Sequence, residues 1–113
     1  MKTAETVAAF NEAFNRHDID AVMALMSDDC VFESMSPEPD GGRHVGQVTI
    51  RQFWERFFGS YPDARFETEE MVVSGDRAVV RWRFERGDGH LRGIDLFKVS
   101  DGKVAEKFTY RKG

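Results

Sequence analysis

At Ala64 the spacing of apolar residues changes from that of helices to that of strands, and no other feature constrains the fold as much. Before it, "TAETVAAFNEAFNRHD" sets Val7, Phe10 and Phe14 on one side and Glu5, Glu12 and Arg16 elsewhere, which predicts an amphipathic helix. Asp18 is placed to cap a second, shorter helix, "IDAVMALM", whose apolar stripe is Val22, Leu25 and Met26. "CVFES" reads as a short strand, and "MSPEPDGGRHVG", with two Pro and three Gly, as a loop. In "TIRQFWERFFGSYP" the pair Thr49 and Gln52 has capping-box spacing, and Ile50, Phe53, Trp54, Phe57 and Phe58 form one apolar face. Gly59 and Pro62 are expected to end that third helix.

After Ala64 the period is two. "ARFETEEMVVS", "AVVRWRFER", "HLRGIDLFKVS" and "KVAEKFTYRK" read as four strands separated by the turns "GD", "GDG" and "DG". Val80, Trp82 and Phe84 alternate with Arg81, Arg83 and Glu85, as one dry and one wet face require. The expected class is α+β: three N-terminal helices packed on a curved, mostly antiparallel sheet in the order ααβαββββ, with residues 1–113 as a single domain. At 113 residues the chain suits one domain, and ten Phe with two Trp supply enough bulk for a core and a cavity lining.

Charge and motifs exclude several classes of function. A net charge of −4 and the lack of any Lys/Arg run argue against nucleic acid. No apolar run is long enough to span a bilayer, and "MKTAETVAAF" lacks the apolar segment of a signal peptide, so no membrane partner is expected. The single cysteine, Cys30, cannot form an internal disulfide, fits a reduced cytoplasmic compartment and is expected to be buried and inert. His17, His44 and His90 lie on separate elements without metal-ligand spacing, so neither a metal nor a cofactor is expected. "GDGHLRG" is too loose for a phosphate loop.

One residue breaks the pattern. Asp95 interrupts the apolar strand "HLRGIDLFKVS" between Ile94 and Leu96, and an unpartnered carboxylate in a strand interior is costly. Alternation puts Leu91, Gly93, Asp95, Phe97 and Val99 on one face, with Gly93 leaving space beside the carboxyl. Structurally, Asp95 could be an ion-pair partner of Arg92 or Arg81. Functionally, it would be an acid that apolar surroundings push toward its neutral form.

The phrases "FNEAFNRHDIDAVMALMSDDCVFE", "GQVTIRQFW", "YPDARFETEEMVVSGDRAVVRWRFE" and "LRGIDLFKVSDGKVAEKFTYRKG" resemble the SnoaL-like branch of the nuclear transport factor 2-like superfamily over nearly the whole chain. That resemblance implies a cone-shaped sheet wrapped around helices, with an apolar pocket open at one end, usually in a homodimer. It also implies that Asp95, in "GIDLF", points into the pocket. In the isomerases of this superfamily the matching acid stays protonated and donates to the substrate oxyanion, which is established for them and not a consequence of this sequence. In the cyclases it is the proposed general acid/base.

Departures from the isomerase pattern narrow the reading. The position of the isomerase base is Ser34, after Glu33, and that of the oxyanion-donating Tyr is Phe10, so a steroid isomerase of the usual form is excluded. Epoxide hydrolases need an Asp–Arg–Asp set, but Arg81 and Arg83 fall on the outer face. What survives is a catalytic Asp95 acting by proton transfer on an apolar carbonyl compound, in an isomerase-, cyclase- or dehydratase-like reaction. The alternative is a non-catalytic protein that holds a hydrophobic ligand. Expected pocket residues are Phe10, Phe14, Ser34, Trp54, Phe58, Trp82, Phe84, His90 and Phe97, with Trp54, Trp82 and Phe97 the foremost ligand contacts. Ile94, Leu96 and Lys98, beside Arg81 and Arg83, mark the outer sheet face as a homodimer surface.

Overall fold

A computed structural model describes residues 2–87 and 89–113, with Arg86 described by its backbone alone. The "GDG" turn expected between the second and third long strands includes Asp88 and so lies outside the described residues. Helices α1 (Thr3–Asn15) and α2 (Ile19–Ala24) lead into strands β1 (Met26–Glu33) and β2 (Arg43–Val45). Helix α3 (Gln47–Ser60) follows, then β3 (Arg65–Ser74), β4 (Arg77–Arg86), β5 (Gly89–Ser100) and β6 (Lys103–Arg111). All six strands form one sheet in the order β2-β1-β6-β5-β4-β3. The pairs from β3 to β6 are antiparallel, and β1 joins β6 in parallel.

The meander after Ala64 and its alternation are as the sequence predicts: Val80, Trp82 and Phe84 are buried while Arg81 and Glu85 are exposed. The tight β5–β6 turn has Asp101 and Gly102 both at positive φ (52° and 73°), the conformation of a hairpin turn whose twist matches its strands. Val7, Phe10 and Phe14 of α1 pack with Val80, Phe97 and Val104 of the sheet in the main core. Asp18 caps α2 as predicted, accepting from the Ala21 N–H at 3.1 Å.

Four local expectations need correction. The predicted loop contains β2, which pairs with β1, so the order is ααββαββββ. Helix α2 stops at Ala24, and Met26 opens β1 as a buried core residue. Helix α3 begins at Gln47, so Thr49 lies inside it and no Thr49–Gln52 box caps it. Its N-cap is Gly46 at φ 88°, a conformation that favours glycine. Gly59 does not end that helix, which runs to Ser60. Gln47 holds the junction by donating Nε2–H to the carbonyls of Met23, Met26 and Ser27 at 3.0–3.2 Å.

Candidate functional site: an acid–lysine pair beneath an aromatic cavity

The β5–β6 register sets Asp95 opposite Thr109 and Phe97 opposite Lys107. Asp95 and Lys107 are both buried, and Thr109 is half-buried beside them. Thr109 Oγ1 donates to Asp95 Oδ1 at 2.7 Å, and Lys107 Nζ donates to the same oxygen at 3.3 Å. The ammonium also donates to Thr109 Oγ1 at 3.1 Å. Asp95 Oδ2 makes no hydrogen bond among the described residues. Lys107 Nζ lies 4.9 Å from the Phe32 ring centroid, 5.4 Å from Trp54 and 5.8 Å from Phe14, within cation–π range of all three.

Above this pair is a cavity of about 150 Å³, walled by aromatic side chains that include Phe14, Phe32, Trp54, Phe57, Phe66 and Phe84, with Asp95, Lys107 and Thr109 on its polar side. Ser34, Met35, Thr109 and Arg111 also line a wider mouth of about 740 Å³, where Glu33, Glu38, Asp40 and Arg43 supply charge. The Trp54 Nε1–H is buried without an acceptor among the described residues. An aromatic wall with a few convergent polar groups is the usual make-up of a small-molecule site.

The sequence expectation for Asp95 is met in direction and corrected in chemistry. The carboxyl does face inward and lines the cavity. It is not a lone acid, and neither proposed arginine holds it. Arg92 instead clamps Glu69 with two bonds of 2.9 and 3.2 Å, which lowers the Glu69 carboxyl below its ordinary range and raises the guanidinium. Arg81 pairs with Glu70 at 2.7 Å. Gly93 does not leave a void. A Cβ there would fall 2.5 Å from Trp82 Cζ2 and closer still to the Tyr110 carbonyl oxygen, so the glycine makes room for the indole.

Of the other predicted pocket residues, Phe14, Ser34, Trp54 and Phe84 line the cavity. Trp82 instead borders an inner hollow of about 30 Å³ beside Asp95 and Lys107. Ser34 is already engaged, donating to the Ser36 carbonyl at 2.8 Å and accepting from the Gly42 N–H at 3.0 Å. Phe10 and Phe97 do not wall the cavity: they meet edge to face at 5.7 Å in the solid core. Phe58 packs against His17, with ring centroids 4.2 Å apart. His90 is exposed on β5 and lines neither the cavity nor its mouth. His17 takes φ 58° and bonds the Ala64 carbonyl through Nε2 at 2.7 Å. Cys30 is buried, and burial pushes its thiol up, which suits an inert role.

Lys107 is the charged cavity-lining residue that the sequence reading missed, and Thr109, Phe57 and Phe66 also line the cavity without having been predicted. Its alternation with Thr109 was the available signal. A register shift in β6 hid it, because Val104 and Lys107, three apart, are both buried.

The sequence model of the SnoaL-like domain matches residues 7–107. A nuclear transport factor 2-like protein of unknown function from Mesorhizobium loti is 42% identical, with 98% of this chain and 91% of that one covered and a TM-score of 0.86. A candidate polyketide cyclase from Sinorhizobium meliloti is 25% identical over 93% of both chains, with a TM-score of 0.81. A candidate ketosteroid isomerase from Kribbella flavida shares the fold at 20% identity and a TM-score of 0.84, over 98% of this chain and 78% of that one. No curated protein matches at a significant level.

Proposed function

The chain belongs to the SnoaL-like family, and from that premise we propose that it is an enzyme moving a proton on an apolar carbonyl compound, with Asp95 as the acid/base group. One observation carries the reading: Asp95 lines the aromatic cavity with both of its bonds on Oδ1, so Oδ2 is free to meet a substrate hydrogen. Lys107 and Thr109 fix the carboxylate in place, as a base needs if it is to reach a C–H bond in one orientation. The likeness to a candidate polyketide cyclase supports carbonyl chemistry of this kind. No helix among the described residues is long and apolar enough to cross a membrane.

The test is exchange of the α-hydrogens of 2-tetralone for deuterium, followed by proton NMR. The protein should accelerate exchange over buffer. Asp95→Asn should remove the acceleration while binding and a cooperative melting transition persist, the midpoint being lowered because Lys107 loses its partner. Acceleration that survives the substitution would refute the assignment. Binding without acceleration by the unmodified protein would favour the second reading, a hydrophobic-ligand carrier, which draws support from the engagement of Oδ1 by two neighbours. We further propose that the outer sheet face forms a homodimer contact.

A further inference from the structure

We propose that the cavity takes an apolar ring compound bearing one anionic oxygen (a carboxylate, phenolate or enolate) and that Lys107 is the residue that recognises it. The inference rests on the reading of this cavity as a ligand site and adds the charge of the ligand.

Three observations converge. An ammonium has three N–H donors, and Lys107 uses one on Asp95 and one on Thr109, leaving a third. The ammonium is withdrawn from water and stands over the ring faces of Phe32, Trp54 and Phe14, where polar and aromatic walls of the cavity meet. Trp54, on the same wall, has a buried Nε1–H with no acceptor among the described residues. An unspent ammonium donor set among ring faces suits an acceptor oxygen.

The charges agree. Asp95, Lys107 and Arg111 are the charged side chains that line the cavity, one negative and two positive. Asp95 and Lys107 are buried and offset each other, so the one-charge positive excess belongs to Arg111, which is exposed at the rim, in a chain of net charge −4. An excess of that sign at the rim favours entry of an anion over a neutral or cationic analogue of equal size. The space itself suits a ring: a cavity of about this size, lined by apolar side chains, holds benzene. Ser34, Met35, Thr109 and Arg111 are shared with the lining of the wider mouth.

A structural role alone fits less well. A buried pair recovers its desolvation cost only with good geometry and further bonds. Here the Nζ–Oδ1 distance is a long 3.3 Å, and one carboxylate oxygen is unbonded.

Calorimetric titration with 2-naphthoate, neutral 2-naphthamide and cationic 2-naphthylmethylamine at neutral pH tests the proposal. A charge-assisted hydrogen bond is expected to make naphthoate about tenfold tighter than the amide, with the amine weakest. Lys107→Met should bring naphthoate and the amide to within about twofold, and retained amide binding shows that its cavity is intact. Asp95→Asn removes the negative member and should tighten naphthoate by roughly threefold or more. If Lys107→Met does not fold, Asp95→Asn/Lys107→Met, which leaves no charge on either side chain, carries the same comparison. The proposal is overturned if the preference for naphthoate survives loss of Lys107, or if Asp95→Asn weakens naphthoate. Equal binding of amide and naphthoate by the unmodified protein defeats the inference and leaves the cavity reading standing. Binding of none of the three defeats both.

Discussion

Asp95 and Lys107 keep less than a tenth of their side-chain surface in water, so each depends on the other for its charge to be tolerated there. Removing one partner strands the other. Lys107→Met is expected to lower stability by about 3–5 kcal/mol, and adding Asp95→Leu should recover most of that loss. Urea denaturation of the two variants checks it, and equal loss in both would mean that the pair is not coupled. His44 provides a second prediction. Its Nε2 is buried without a partner between Phe32 and Phe53, with ring centroids 5.7 and 4.8 Å away. Burial, with the Arg56 guanidinium as the lesser cause, lowers its pKa below the usual imidazole value. The folded chain then binds fewer protons than the unfolded chain once pH drops below about 6.5. Stability contributed by neutral His44 is present above that pH and is lost as pH falls through the lowered folded value. His44→Gln should flatten the decline in urea midpoint between about pH 7 and pH 5.

Strand β3 is an edge strand, paired only with β4, and α1 closes part of it through one side chain. Asn15 Nδ2–H donates to the Phe66 carbonyl, and the Phe66 N–H donates to Asn15 Oδ1, both at 2.9 Å, as a neighbouring strand would do. Asn15→Ala is expected to cost about 2 kcal/mol, at about 1 kcal/mol per bond, and to speed hydrogen exchange at the Phe66 amide ahead of the central strands. Uniform exchange across the sheet would argue against that local role. Elements such as β3 to β6 were legible in the sequence because alternation of Val80, Trp82 and Phe84 depends only on a strand having two faces. The β2 strand was not legible, since Arg43, His44 and Val45 are too few to show a period and sit beside glycines. Lys107 was hidden for a different reason. Counting by twos from buried Val104 places Glu106 inside and Lys107 outside, and only the irregular pairing between Lys98 and Val99 reverses that parity. Asp95 with Phe14, Trp54 and Phe84 of its wall could thus be read from local pattern, whereas Phe10, Phe58 and Phe97 share the same apolar spacing but pack elsewhere. Lys107 depended on a fault in register that counting from Val104 does not reveal.

Across the molecule the inner face of the sheet is covered by helices, and among the described residues no helix covers the outer face. Register places Val72, Val79, Leu96 and Phe108 side by side across β3 to β6, an apolar row on that outer face. Ile94 and Tyr110 pair next to it, and Tyr110 and Val72 are each more than half exposed. Ion pairs border the row, Arg81 with Glu70 on one side and Arg77 with Glu106 on the other. An apolar stripe with a charged rim is the anatomy of a subunit contact, and two copies related by a two-fold axis would each present the same stripe. Leu96, half-buried at the middle of the row, is the place to test this, because an acid there costs the monomer little. In a symmetric dimer it would set like charges against each other across the axis. Sedimentation equilibrium should give twice the 12.9 kDa chain mass for the unmodified protein and the chain mass for Leu96→Glu, with an unchanged far-ultraviolet spectrum. If the unmodified protein sediments at the chain mass at tens of micromolar, the stripe is not a dimer surface. In that event Val72, Leu96 and Phe108 are a solvent-facing patch for which folding of this chain supplies no reason.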